Sequence, residues 1–103
     1  MDETTQTIPT LKTVRAMRDE ILQLTSQYGA SDVRVFGSVA RGDSSQDSDI
    51  DLLVRFPENR SIFELVGLWL DLQDLLGRDV SLVPDGTPDQ DFIQRILREA
   101  VAL

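Results

Sequence analysis

No cysteine occurs among the 103 residues, so no disulfide framework holds this chain. That fits a reducing compartment without proving it, since many exported proteins also lack disulfides. No apolar run approaches the ~20 residues that span a bilayer. Met1 to Thr10 is polar and acidic, unlike the charged-then-apolar plan of a signal peptide. A cytoplasmic location and no membrane contact are therefore expected. Positive charge is scarce: ten Lys and Arg are scattered among eighteen Asp and Glu, for a net charge of −8. Gripping a nucleic-acid backbone takes a cluster of cations, so direct nucleic-acid binding is not expected. An acidic domain suits cation binding, a basic protein partner, or simply solubility. Repeats, low-complexity runs and linkers are also missing. The length allows one domain with one modest core, here residues 10–103 behind a flexible tail, residues 1–9.

Hydrophobic spacing gives the elements. Leu11, Val14, Met17, Ile21, Leu24 and Tyr28 recur at helical intervals, with Thr10 as the cap and Gly29 as the left-handed stop. A short strand, Asp32 to Phe36, runs into Gly37-Ser38, and Val39 to Arg41 can make one helical turn. A polar loop follows, then a second strand from Asp49 to Arg55, closed by Pro57. Ser61-Ile62-Phe63-Glu64 reads as a capping box opening a helix to about Leu76, stopped by Gly77. Its circumference is so apolar that a partner surface is expected on it. A third strand, Asp79 to Val83, ends at Pro84. Thr87-Pro88-Asp89-Gln90 reads as cap, N1 proline and N3 glutamine of a last helix burying Phe92, Ile93, Ile96, Leu97 and Val101. This order implies an α/β fold, a small mixed sheet of about three strands with helices packed on it.

Two short segments carry chemistry. A strand that ends in Gly37-Ser38 before a helical turn presents backbone N–H groups and a hydroxyl, a cradle for phosphate oxygens. Glycine lets the backbone approach closely. Gly-Ser is also a common turn, and the dipeptide alone does not separate the two readings. In Ser48-Asp49-Ile50-Asp51-Leu52-Leu53-Val54 the side chains alternate, so Asp49 and Asp51 point one way, roughly 6.5–7 Å apart. Ile50, Leu52 and Val54 point to the core. Two like charges so close suit a cation between them, and Mg²⁺ takes one or two carboxylates plus substrate phosphates. Two solvated acids at a strand edge would look the same.

The combination is more specific. Val35-Phe36-Gly37-Ser38-Val39-Ala40-Arg41-Gly42, six residues, then Ser48-Asp49-Ile50-Asp51-Leu52 resembles the signature of the nucleotidyltransferase superfamily related to DNA polymerase β. The likeness is to its minimal nucleotidyltransferase (MNT) branch. It extends to the leading helix, to Leu76-Gly77-Arg78 and to Arg95-Ile96-Leu97-Arg98-Glu99-Ala100-Val101. The resemblance implies a nucleotidyltransferase fold, with ATP as substrate held on Gly37 and Ser38. Asp49 and Asp51 would be the catalytic, Mg²⁺-binding acids, with Arg41 as a candidate triphosphate contact.

One position departs from that pattern. The family commonly carries a third carboxylate on the third strand, reading Val-Asp-Leu-Val, where this chain has Val80-Ser81-Leu82-Val83. A hydroxyl is a poor general base and a weaker Mg²⁺ ligand, so a lower catalytic rate is expected. Asp79 is the nearest candidate metal ligand in its place, on the same face but displaced by roughly 6.5–7 Å. Many MNT proteins are antitoxins paired with HEPN-domain toxins, helical ribonucleases, and transfer AMP from ATP to a toxin tyrosine. The resemblance therefore implies a HEPN-domain partner and a hetero-oligomer. A non-catalytic antitoxin and a transferase acting on a small aminoglycoside-like acceptor are the alternatives.

Overall fold

The computed structural model describes residues 8–103. Most of the expected tail lies outside this range. At its end Pro9 is buried, and its carbonyl accepts a hydrogen bond from the Ser44 hydroxyl.

Two helices, α1 (Leu11–Arg15) and α2 (Arg18–Gln27), stand where one was expected. Thr10 caps α1 through a reciprocal pair: Thr13 N–H donates to Thr10 Oγ1 at 3.1 Å, and Thr10 N–H to Thr13 Oγ1 at 2.9 Å. The break falls at Met17, whose N–H donates to the Val14 carbonyl in a three-residue turn. No proline or glycine marks it. Val14 and Ile21 are both buried, so the apolar spacing runs through the break and hides it.

Strands β1 (Ser31–Phe36), β2 (Ile50–Arg55), β3 (Val80–Pro84) and β4 (Val101–Ala102) form one sheet in the order β3-β2-β1-β4. β1 is antiparallel to β2 and β4, while β2 and β3 are parallel. A parallel pair needs a crossover, which helix α4 (Ile62–Leu76) supplies. Strand alternation then sorts the side chains. Val33, Val35, Ile50, Leu52, Val54 and Val80 pack with Val14, Ile21, Leu68 and Leu72 in the main core. Phe36 and Leu53 point to the opposite face and meet Ile93 and Ile96 of helix α5 (Gln90–Glu99). Ile50, Leu52 and Val54 are core residues, as their alternation requires. Asp51 is on the α5 side.

Helix α4 opens with the expected capping box: Phe63 N–H donates to Ser61 Oγ at 2.9 Å and Ser61 N–H to Glu64 Oε1 at 3.3 Å. Its two middle polar contacts hold the start of β3. Trp69 Nε1 donates to the Val80 carbonyl at 2.6 Å, and Gln73 Oε1 accepts from Val80 N–H at 3.1 Å. Gly67, in mid-helix, sits under Tyr28, whose ring lies 3.2 Å from where a Cβ would stand. Among the described residues seven large hydrophobic side chains are exposed. Five of them, Ile62, Phe63, Val66, Trp69 and Leu70, are on α4.

The last helix departs from expectation at both ends. Asp89, not Thr87, is the cap, its carboxylate accepting from Phe92 N–H at 3.1 Å. Thr87 is committed elsewhere, since its hydroxyl donates back to the Pro84 carbonyl at 2.6 Å and closes a turn. Val101 is in β4 rather than the helix, paired with Val35. Leu103 beyond it is buried, with its N–H on the Val33 carbonyl. Leu97 is exposed rather than buried. Among the described residues no helix is long and apolar enough to cross a membrane.

Candidate active site

Strand β1 ends at Phe36 and the chain turns at once into the short helix α3 (Gly37–Arg41). Gly37 has φ +72°, a conformation an L side chain rarely adopts. A Cβ there would also lie 2.0 Å from Asp51 Oδ2. Only glycine satisfies both conditions. The Gly-Ser turn and the second acid of the Asp-x-Asp run are thus pressed together by the antiparallel pairing of Phe36 with Asp51. Phe36, Gly37, Ser38, Arg41 and Asp51 line an open cleft of about 520 Å³, completed by Phe92, Arg95, Ile96 and Glu99 of α5.

Asp49 is exposed and stands one residue before β2. The loop that delivers it is fastened from β3's side: Arg78 Nη1 donates to the Gln46 carbonyl at 2.8 Å and to that of Ser48 at 3.0 Å. Asp51 is half-buried, and that burial pushes its carboxyl pKa above the ordinary value. A hydrogen bond from Ser81 opposes the shift. Asp49 raises the pKa further, Arg41 lowers it and Glu99 raises it. Within the cleft the acids Asp51 and Glu99 are matched by Arg41 and Arg95, and Asp49 adds a further negative charge close enough to Asp51 to act on it.

Ser81 is the register partner of Asp51 across the parallel β2–β3 ladder, which is where a third carboxylate would have to stand. Asp79 falls before the ladder, its carbonyl accepting from Ile50 N–H at 3.1 Å. That register puts it next to Asp49, and of the three predicted acids only Asp51 lines the cleft; Asp49 and Asp79 stand outside its lining. Among the described residues no three acidic side chains converge into a metal cage. Mg²⁺ needs no such cage, since it keeps several waters and uses one or two carboxylates with substrate phosphates.

Sequence reasoning missed the α5 wall. Arg95 lies over the Phe92 ring at 5.9 Å. Glu99 accepts from Gly37 N–H at 2.8 Å and pairs with Arg41 Nη1 at 3.1 Å. The 92-95-99 spacing marks one helix face, yet nothing local in the sequence says that this face meets Gly37.

The sequence signature described as "Nucleotidyltransferase domain" matches residues 14–103. The chain belongs to this family. It is 37% identical over 79 residues to the protein adenylyltransferase MntA of Thermococcus cleftensis, covering 77% of this chain and 80% of that one. A solved structure assigned as a minimal nucleotidyltransferase is 45% identical, with a TM-score of 0.80 over 91% of this chain and 96% of that one. The fold also recurs in the complex of a tri-AMPylated Shewanella oneidensis HEPN toxin with its MNT antitoxin. There the TM-score is 0.66 at 19% identity, over 85% of this chain and 69% of that one. The chain is accordingly an α/β nucleotidyltransferase of the minimal, MntA-like kind.

Proposed function

We propose that this chain is the antitoxin of a HEPN/MNT toxin–antitoxin pair and transfers AMP from ATP to a tyrosine of its HEPN-domain partner. The observation that carries this reading is the contact of Gly37 with Asp51, which sets the Gly-Ser turn against the second acid of the Asp-x-Asp run. Membership of the nucleotidyltransferase family and the protein adenylyltransferase among its relatives support it. Gly37 N–H, the Ser38 hydroxyl and Arg41 bind phosphate oxygens. Preorganised donors of this kind cost no reorganisation as charge develops. Asp49 and Asp51 would hold Mg²⁺, which would supply charge neutralisation for the transfer. The tyrosine hydroxyl attacks the α-phosphorus, pyrophosphate leaves, and the phenolic proton passes to solvent. Ser81 stands opposite Asp51, where a third carboxylate would take the acceptor's proton; a hydroxyl is a poor base, so the reaction is slow.

The apolar stripe of α4 is the surface we assign to the partner. Phe63, Val66 and Leu70 follow a three-then-four spacing, that of a seam for another helix. Glu64, Asp71 and Asp74 are the only charged residues of that helix, which favours a basic counterpart.

The test uses ATP labelled at the α- or the γ-phosphate, Mg²⁺ and the purified partner. Label on the partner from α-labelled ATP alone is the expected result. Label from γ-labelled ATP would instead mean phosphoryl transfer, and no label from either would leave the second reading. In that reading the chain keeps the fold and neutralises by binding alone, as Ser81 in the third acid's place favours.

A further inference from the structure

The two strongest phosphate donors of the cleft already share a partner. Glu99 Oε2 accepts from Gly37 N–H at 2.8 Å while Oε1 lies 3.1 Å from Arg41 Nη1. One carboxylate therefore sits where the phosphate oxygens of a bound nucleotide would go. Its location is locally unfavourable, because Glu99 is the last residue of α5, at the negative end of the helix dipole. Its charge also opposes that of Asp51. What offsets these costs is the pair of bonds to Gly37 and Arg41. The side chain keeps 32% of its surface exposed, leaving it a route out. Arg41 has a second acidic neighbour in Asp43 at 3.3 Å, so the guanidinium stays paired when Glu99 leaves.

We propose that Glu99 is a resident anion of the phosphate cradle, which a nucleoside triphosphate must displace in order to bind. The proposal rests on the nucleotide-binding reading of this cleft. Binding becomes an exchange of one anion for another on the same donors. A ligand gains from the exchange in proportion to the phosphate charge it brings, so Glu99 sets affinity for the polyphosphate chain and leaves the nucleoside part untouched.

Glu99→Gln keeps the size of the side chain and an acceptor for Gly37 N–H while removing the charge that holds Arg41. Inorganic tripolyphosphate and adenosine are titrated separately into wild type and variant by calorimetry. The variant is expected to bind tripolyphosphate about tenfold more tightly, the scale of one charge-assisted hydrogen bond, with adenosine unchanged. Adding Arg41→Gln should cancel the gain. Weaker or unchanged tripolyphosphate binding in Glu99→Gln would overturn the proposal, since it would make Glu99 a support for the cradle rather than its competitor. Equal tightening of both ligands would overturn it too, as a general loosening of the cleft. Absence of tripolyphosphate and Mg²⁺–ATP binding in both proteins would remove the nucleotide site itself, and this proposal with it.

Discussion

Asp51 shows how a site residue is kept at a cost to the fold. Its carboxyl pKa is raised mainly by burial, so the folded state binds the proton more tightly than the unfolded chain does. By linkage, the folded protein carries an ionisation penalty above that pKa and sheds it as the pH falls through it. Asp51→Asn is neutral at every pH. It is expected to melt higher than wild type at neutral pH, with the advantage fading as the pH falls through the raised pKa and gone below about 4, the unfolded value. The same variant should lose nucleotide transfer, and Mg²⁺ should no longer raise its Tm. Thermal melts with and without Mg²⁺ check the two stability effects and a labelled-ATP assay the loss of transfer; a variant that melts lower at neutral pH contradicts the burial argument. Ser81→Asp makes the opposite trade. A carboxylate placed beside Asp51 should lower Tm in the absence of metal and raise the transfer rate in its presence. A rate equal to wild type would show that the missing acid is not what limits the reaction.

At the scale of elements, the readable parts of the sequence were those governed by local rules. Strand alternation turned Ile50, Leu52 and Val54 to the core, where they are buried, and Asp51 to the other face, while Asp49 stands just before the strand. Ser61 and Glu64 announced the start of α4 through a capping box that the helix does form. What stayed hidden was decided by distant partners. β4 is two residues long and exists because Val101 and Ala102 meet the edge of β1. Glu99 reaches Gly37 across 62 positions. Helix α4 illustrates both sides: its excess of apolar residues was legible, while the use of Trp69 and Gln73 to saturate Val80 was not. Its outer stripe gives a prediction at this scale. Phe63 is 83% and Leu70 50% exposed, so Phe63→Glu with Leu70→Glu should leave Tm within a few degrees of wild type. Co-purification with the HEPN-domain partner should be lost. Retained binding would move the interface elsewhere.

For the whole molecule, the proposed function places transfer and partner binding on different surfaces of one sheet. The α5 face carries the cleft, the Gly37 turn and the acids. Helix α4, packed on the opposite face, turns an apolar stripe outward. The net charge of −8 suits both, concentrating cations at the cleft and steering a basic partner to the stripe. On this account a modifying enzyme and a binding protein coincide in a single small domain, and the acceptor is the partner it binds. The most direct test is the intact mass of the HEPN-domain partner after co-expression with this chain, compared with co-expression with the Asp49→Asn, Asp51→Asn double variant. The account predicts mass additions in steps of one adenylate that vanish with the variant. A partner that co-purifies, is silenced and carries no added mass with either chain would contradict it, leaving a nucleotidyltransferase fold that works by binding alone.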